Sequence, residues 1–135
     1  CVPGASGKTF SKSGPPEHFV FSQIRIEGQL HTHLAETRDE NRFCQKMYGR
    51  RPLALMADCD FLGDDVSFAH GIHFNDAELE TLAATGTHIA HCPTSNMRLG
   101  SGIARIREML DKGVRVGIAV DGSASNDASD MLGEV

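Results

Sequence analysis

"QLHTHLAET", residues 29–37, places two histidines and a glutamate within six positions, straight after a short apolar run. An apolar run that stops at ionisable residues is how a buried strand ends when its carboxyl end carries chemistry. The stretch therefore reads as a short strand, "QLHTHLA", leading into a helix over 37–49. Thr37 with Glu40 three positions on makes a capping box, Gly49 can end the helix, and Phe43, Met47 and Tyr48 give it one apolar face.

Downstream the pattern repeats. "RPLALMADCD" (51–60) reads as a second short helix with Pro52 in its first turn, and "DVSFAH" (65–70) as a strand. "NDAELETLAATG" (75–86) is a helix capped by Asn75 and Glu78 and stopped by Gly86. "HIAHC" (88–92) is a strand, and "GIARIREMLDKG" (102–113) a helix with Ile103, Ile106 and Leu110 on one side. "VRVGIAVDG" (114–122) is a fourth strand, and "SNDASDML" (125–132) begins another helix. Upstream, "FVFSQIRI" (19–26) fits either a strand or part of a helix. Residues 1–20 are rich in Gly, Ser, Pro and Lys and read as loop or tail. "GASGKT" within them imitates a phosphate loop, but Val2 stands where the first glycine belongs and no strand precedes it.

Strand and helix in alternation require a parallel sheet with right-handed crossovers, an α/β fold. His33, His70, His91 and Asp121 each fall at or just past a strand end, separated by 37, 21 and 30 residues. A βα unit runs to about 30 residues, so the four look like part of a barrel rim.

The 135 residues, 40% hydrophobic and 23% charged, are enough for one domain with a real core. A net charge of −5 gives no basic patch, so nucleic acid is not an expected partner. No apolar stretch is long enough for a membrane span. Four scattered cysteines form no C-x-x-C and suggest no disulfide scaffold; a reducing cytoplasm is expected. The chain opens on Cys and reads as a piece of something longer.

Imidazole and carboxylate are the usual nitrogen and oxygen ligands of zinc or iron, and such a metal lowers the pKa of water toward about 7. A nearby carboxylate then moves protons between water, substrate and leaving group. His33 and Asp121 suit the ligand role, and Glu36 lies where it would reach substrate rather than metal.

"HTHLAET", "AHGIHF", "AHCPTSNMRLGSG" and "VGIAVDGSASND" carry a resemblance to the amidohydrolase superfamily, in its aminohydrolase branch of guanine deaminases, 8-oxoguanine deaminases and triazine hydrolases. "SNMRLGSGIA" with "VDGSASND" is most similar to the 8-oxoguanine deaminases. The resemblance covers residues 29–135, with 1–28 an irregular lead-in outside it. It implies strands 5–8 and their helices, the C-terminal half of a (β/α)8 TIM barrel. It further implies one divalent metal, zinc with iron as the alternative, held by His33 and Asp121. Glu36 would carry a proton to a ring nitrogen, and His70 would hydrogen-bond the attacking water or the substrate carbonyl. Asp121 would also accept the water's proton, and His91 and Asn96 would shape the pocket around a small heterocyclic substrate. The implied reaction is hydrolytic deamination of a cyclic amidine, 8-oxoguanine to urate plus ammonia, with triazine or guanine hydrolysis, or an inactive truncated relic, as alternatives.

The family's strand-1 His-x-His is missing: the one such pair, His31-Thr-His33, is marked as strand 5 by the glutamate that follows. The chain by itself is therefore expected to be inactive and, with open sheet edges, prone to pair into a homo-oligomer. His31, His73 and His88 read as ordinary hydrogen-bonded histidines, and Cys92 as a small buried residue. Glu36 also fits a solvated carboxylate favoured by a helix N-terminus, and His91 fits a structural role equally well. Gly100 and Gly102 serve loop geometry. The H-x-E and P-C-x-x-C of cytidine-type deaminases and the G-x-S-x-G of serine hydrolases are both absent.

Overall fold

The structure, a computed structural model, describes residues 24–26 and 28–135; "GASGKT" and the rest of 1–20 lie outside the described residues. Among the described residues, five strands form one sheet in sequence order: β1 (Ile24–Ile26), β2 (Gln29–Leu34), β3 (Val66–His70), β4 (His88–His91) and β5 (Arg115–Ile118). β2 to β5 are parallel, and β1 pairs antiparallel with β2, Ile24 opposite His31. So part of "FVFSQIRI" is a strand, its state decided by pairing with β2.

The crossovers carry α1 (Arg38–Tyr48), α2 (Pro52–Asp58), α3 (Asp76–Thr85), α4 (Pro93–Arg98) and α5 (Ile106–Asp111). Thr37 Oγ1 accepts the Glu40 N–H at the start of α1, and Asn75 with Glu78 forms a complete capping box on α3. Gly49 and Gly86 end these helices in the left-handed conformation that favours glycine.

Alternation on the strands divides the two faces of the sheet. Thr32 and Leu34 of β2 and Val66 and Phe68 of β3 are buried beneath the helices with Leu79, Leu82, Ile89, Met109 and Val114. His31 and His33 have the opposite parity, and the His31 ring is 2.6 Å from Ser67 Oγ of β3.

Several elements depart from expectation. In α1 the buried residue is Cys44, while Phe43 and Met47 are about half exposed, because the helix meets the sheet one position off the expected stripe. α5 begins only at Ile106, so Ile103 precedes it and is 88% exposed, and Met109 rather than Leu110 enters the core. The last strand stops at Ile118, and "SNDASDML" gives only turns and a 3₁₀ helix over Met131–Glu134. α4 is an element that the sequence reading did not assign, although Pro93 at its first turn marks it.

Arg51, just before α2, clamps this layer. Its Nε and Nη2 each donate to Glu78 at 2.8 Å, and Nη2 also donates to the His73 carbonyl at 2.7 Å. Arg51→Ala strands a largely buried carboxylate, so unfolding free energy should fall by about 2–4 kcal/mol. Urea titration checks this; a loss below about 1 kcal/mol would place the pair among ordinary surface ion pairs.

Candidate active site

The parallel strands deliver their last side chains to one end of the sheet. By register His33 lies beside Ala69, and His70 beside Leu34 on the helix-facing side. His70, however, has φ +70°, and this left-handed turn accompanies a ring that stands 4.8 Å from that of His33, nearly perpendicular to it. Ala35 (φ +54°) and Asp121 (φ +62°) turn in the same way after β2 and β5. Left-handed residues other than glycine are uncommon and gather at functional sites.

Four side chains converge there. His70 Nε2 is 3.7 Å from Glu36 Oε2 and 3.9 Å from Asp121 Oδ2, and His33 Nε2 is 3.8 Å from Asp121 Oδ1. His33, Glu36 and His70 offer ligand atoms within 4.8 Å of one another.

His70 is 1% exposed, and its Nδ1 lies 2.7 Å from Asn96 Oδ1. An amide oxygen only accepts, so Nδ1 donates to Asn96 and Nε2 is left toward the cluster. That Nε2 is buried without a hydrogen-bond partner and faces the cluster. A buried polar atom left open is what a water, ligand or metal would satisfy. Two imidazoles and two carboxylates make a nitrogen and oxygen donor set that fits a zinc-like ion. Asn96 itself is 1% exposed and stands behind His70, so its reach to a pocket passes through that ring. His91, at the end of β4, is half-buried with an unpartnered Nδ1. Burial lowers its pKa, His70 adds to the effect, and Glu134 opposes it.

Asp121 is held by residues absent from the sequence reading. Ser95 Oγ of α4 and Ser125 Oγ both donate to its Oδ2, at 2.6 and 2.8 Å, which leaves Oδ1 toward His33. Burial alone would raise the carboxyl; these two hydroxyls, the Gly122 backbone and His70 outweigh it and keep Asp121 below the usual carboxylate range. Ser125 lies only four positions past Asp121, within local reach; Ser95, 26 positions away, had no local signal.

His31, His73 and His88 have the ordinary contacts expected of them: with Ser67, with the Ser101 carbonyl and with Arg115. Cys92 is 1% exposed, and burial pushes its thiol up to about 11, so it is no nucleophile at neutral pH. A cleft of about 870 Å³ opens beside the cluster rather than over it, lined in part by Asn41, Ile72, His73, Ser101 and Ile103. Ser101 joins the two, its Oγ donating to Glu36 Oε1 at 3.3 Å.

A parallel α/β layer with its ionisable side chains gathered at the strand ends is the plan of a barrel hydrolase rim. The amidohydrolase family profile matches residues 23–135, and the chain belongs to the amidohydrolase family. It is 50% identical over 111 residues to an isoxanthopterin deaminase from an unknown prokaryotic organism, covering 82% of this chain and 23% of that protein. It is also 50% identical over 108 residues to the 8-oxoguanine deaminase of Pseudomonas aeruginosa, covering 80% of this chain and 24% of that one. Among solved structures, an atrazine chlorohydrolase from Arthrobacter aurescens complexed with zinc superposes with a TM-score of 0.74 at 36% identity, over 78% of this chain and 23% of that one. The chain thus spans about a quarter of the length of the curated relatives it matches. Among the described residues, no helix is long and apolar enough to cross a membrane.

Proposed function

We propose that the protein carrying this segment is a hydrolytic deaminase of an amino-substituted heterocycle, with 8-oxoguanine converted to urate and ammonia. The observation that carries the reading is the meeting of two carboxylates and two imidazoles at the ends of adjacent parallel strands. The two deaminase relatives support the substrate class. 8-Oxoguanine and isoxanthopterin are both fused rings with an amine on a carbon between two ring nitrogens.

A divalent metal, zinc or iron, held by His33 and Asp121 would supply the Lewis acidity that makes water a nucleophile at neutral pH. Asp121 is the better ligand of the two carboxylates because the serine hydroxyls fix it with one oxygen toward His33. Ionised at neutral pH, it takes the proton of the attacking water. His70 Nε2 accepts the water's second O–H and so orients it. As the water oxygen bonds to the amine-bearing carbon, Glu36 gives its proton to the neighbouring ring nitrogen. The exocyclic C–N bond then breaks, the amine leaves as ammonia with the proton held by Asp121, and the new hydroxyl gives its remaining proton back to Glu36 as the carbonyl forms. His91, at the end of β4, bounds the substrate's side of the pocket.

In the full-length protein 8-oxoguanine should release ammonia fastest, with guanine and hydroxylated triazines slower. A substrate panel with ammonia detection decides this. The similarity to a chlorohydrolase supports a second reading, triazine hydrolysis by the same residues; preference for a chlorotriazine would replace the first reading with it.

A further inference from the structure

Glu36 is only as well placed as the short turn that carries it. Between the end of β2 and the start of α1 lie Ala35, Glu36 and Thr37. Ala35 is 1% exposed and left-handed at φ +54°, a backbone that alanine resists. Its carbonyl accepts the His73 N–H at 2.9 Å, which ties the turn to the next strand's loop. Its N–H and that of Glu36 go to a single side chain: Glu40 Oε1 accepts from Ala35 at 3.0 Å and Glu40 Oε2 from Glu36 at 2.9 Å.

This is not an ordinary helix cap. In α3 the corresponding Glu78 returns to the N–H of its own cap residue, Asn75, at 2.8 Å. In α1 the glutamate at the same helical position reaches past the cap residue and accepts from the two residues before it. Burial also pushes the Glu40 carboxyl up, with the Ala35, Glu36 and Thr37 N–H groups acting against it. A carboxylate placed where its charge is disfavoured, on a helix already capped by Thr37, does more than begin a helix.

We infer that Glu40 is a positioning residue for Glu36: by holding both N–H groups of the strained turn, it aims the Glu36 side chain at His70 and the reacting ring. The inference rests on the reading of Glu36 as the proton carrier. Removing the Glu40 carboxylate frees the turn to relax toward ordinary backbone angles and swings Glu36 away from Nε2, now 3.7 Å distant. A misplacement of about 1 Å by a residue away from the chemistry can cost about 10²-fold in rate.

The test uses the full-length protein and measures kcat, KM, bound metal and Tm for Glu40→Ala, Glu40→Gln, Thr37→Ala, Glu36→Gln and the double variant Glu36→Gln with Glu40→Ala. Glu40→Ala should lower kcat by about 10²-fold with KM and bound metal unchanged. Glu40→Gln, which keeps one acceptor and the fold, should fall between it and the parent. Thr37→Ala removes the other half of the cap and should lower Tm while leaving kcat near the parent value. In the Glu36→Gln background, Glu40→Ala should cause no further loss, because the residue it positions no longer carries a proton. An undiminished kcat in both Glu40 variants, or an equal loss with and without Glu36, overturns the inference alone. An undiminished kcat in Glu36→Gln overturns both the inference and the reading beneath it.

Discussion

Asp121→Asn in the full-length protein is expected to abolish ammonia release, with kcat falling by about 10⁴-fold or more, the upper end of what one proton-transferring group contributes. Two properties disappear together: the negative charge facing His33 and, in the proposed reaction, the acceptor for the water's proton. The fold should survive. Asparagine tolerates the left-handed backbone that Asp121 occupies, and the Ser95 and Ser125 hydroxyls can rotate to meet an amide. Bound metal should fall while the circular dichroism spectrum and Tm hold. Turnover within about tenfold of the parent would remove Asp121 from the reaction.

Glu36→Gln should separate chemistry from metal binding. The amide has nearly the shape of the carboxylate and can still accept from Ser101, but it carries no transferable proton. Rate should fall by about 10² to 10⁴ with bound metal unchanged. Glu36 lies among the donors that could group around an ion with His33 and His70, so metal analysis is the decisive reading. A variant that loses its metal would make Glu36 a ligand rather than a proton carrier.

What was legible in the sequence was local. The capping residues Thr37 and Asn75, the glycine stops at 49 and 86, and the strands of "QLHTHLA" and "DVSFAH" depend on neighbours a few positions apart. Candidate residues at strand ends followed from those strands, and the distances among His33, Glu36, His70 and Asp121 bring them together. What depends on distant partners was hidden. β1 owes its state to pairing with β2, and the Ser95 contact to Asp121 depends on how α4 packs. The buried faces of α1 and α5 missed by about one position, because 3.6 residues per turn leaves several neighbouring stripes open when a helix is short. Glu40 looked like half of a common cap, and only its second partner shows its reach.

The left-handed backbones at Ala35, His70 and Asp121 set thermal tolerance against the proposed catalysis. Each such residue costs about 1–3 kcal/mol, a considerable sum beside the roughly 5–15 kcal/mol that holds a typical domain folded. Glycine would relieve the strain at any of the three. At two of them it would also delete a side chain of the cluster, and at the third it would slacken the turn that carries Glu36. A library of variants ranked by melting temperature alone would therefore be drawn toward these positions and enriched in stable, idle proteins. Breeding this segment for heat resistance calls for simultaneous selection on turnover, with gains sought at the outward-facing helix positions instead.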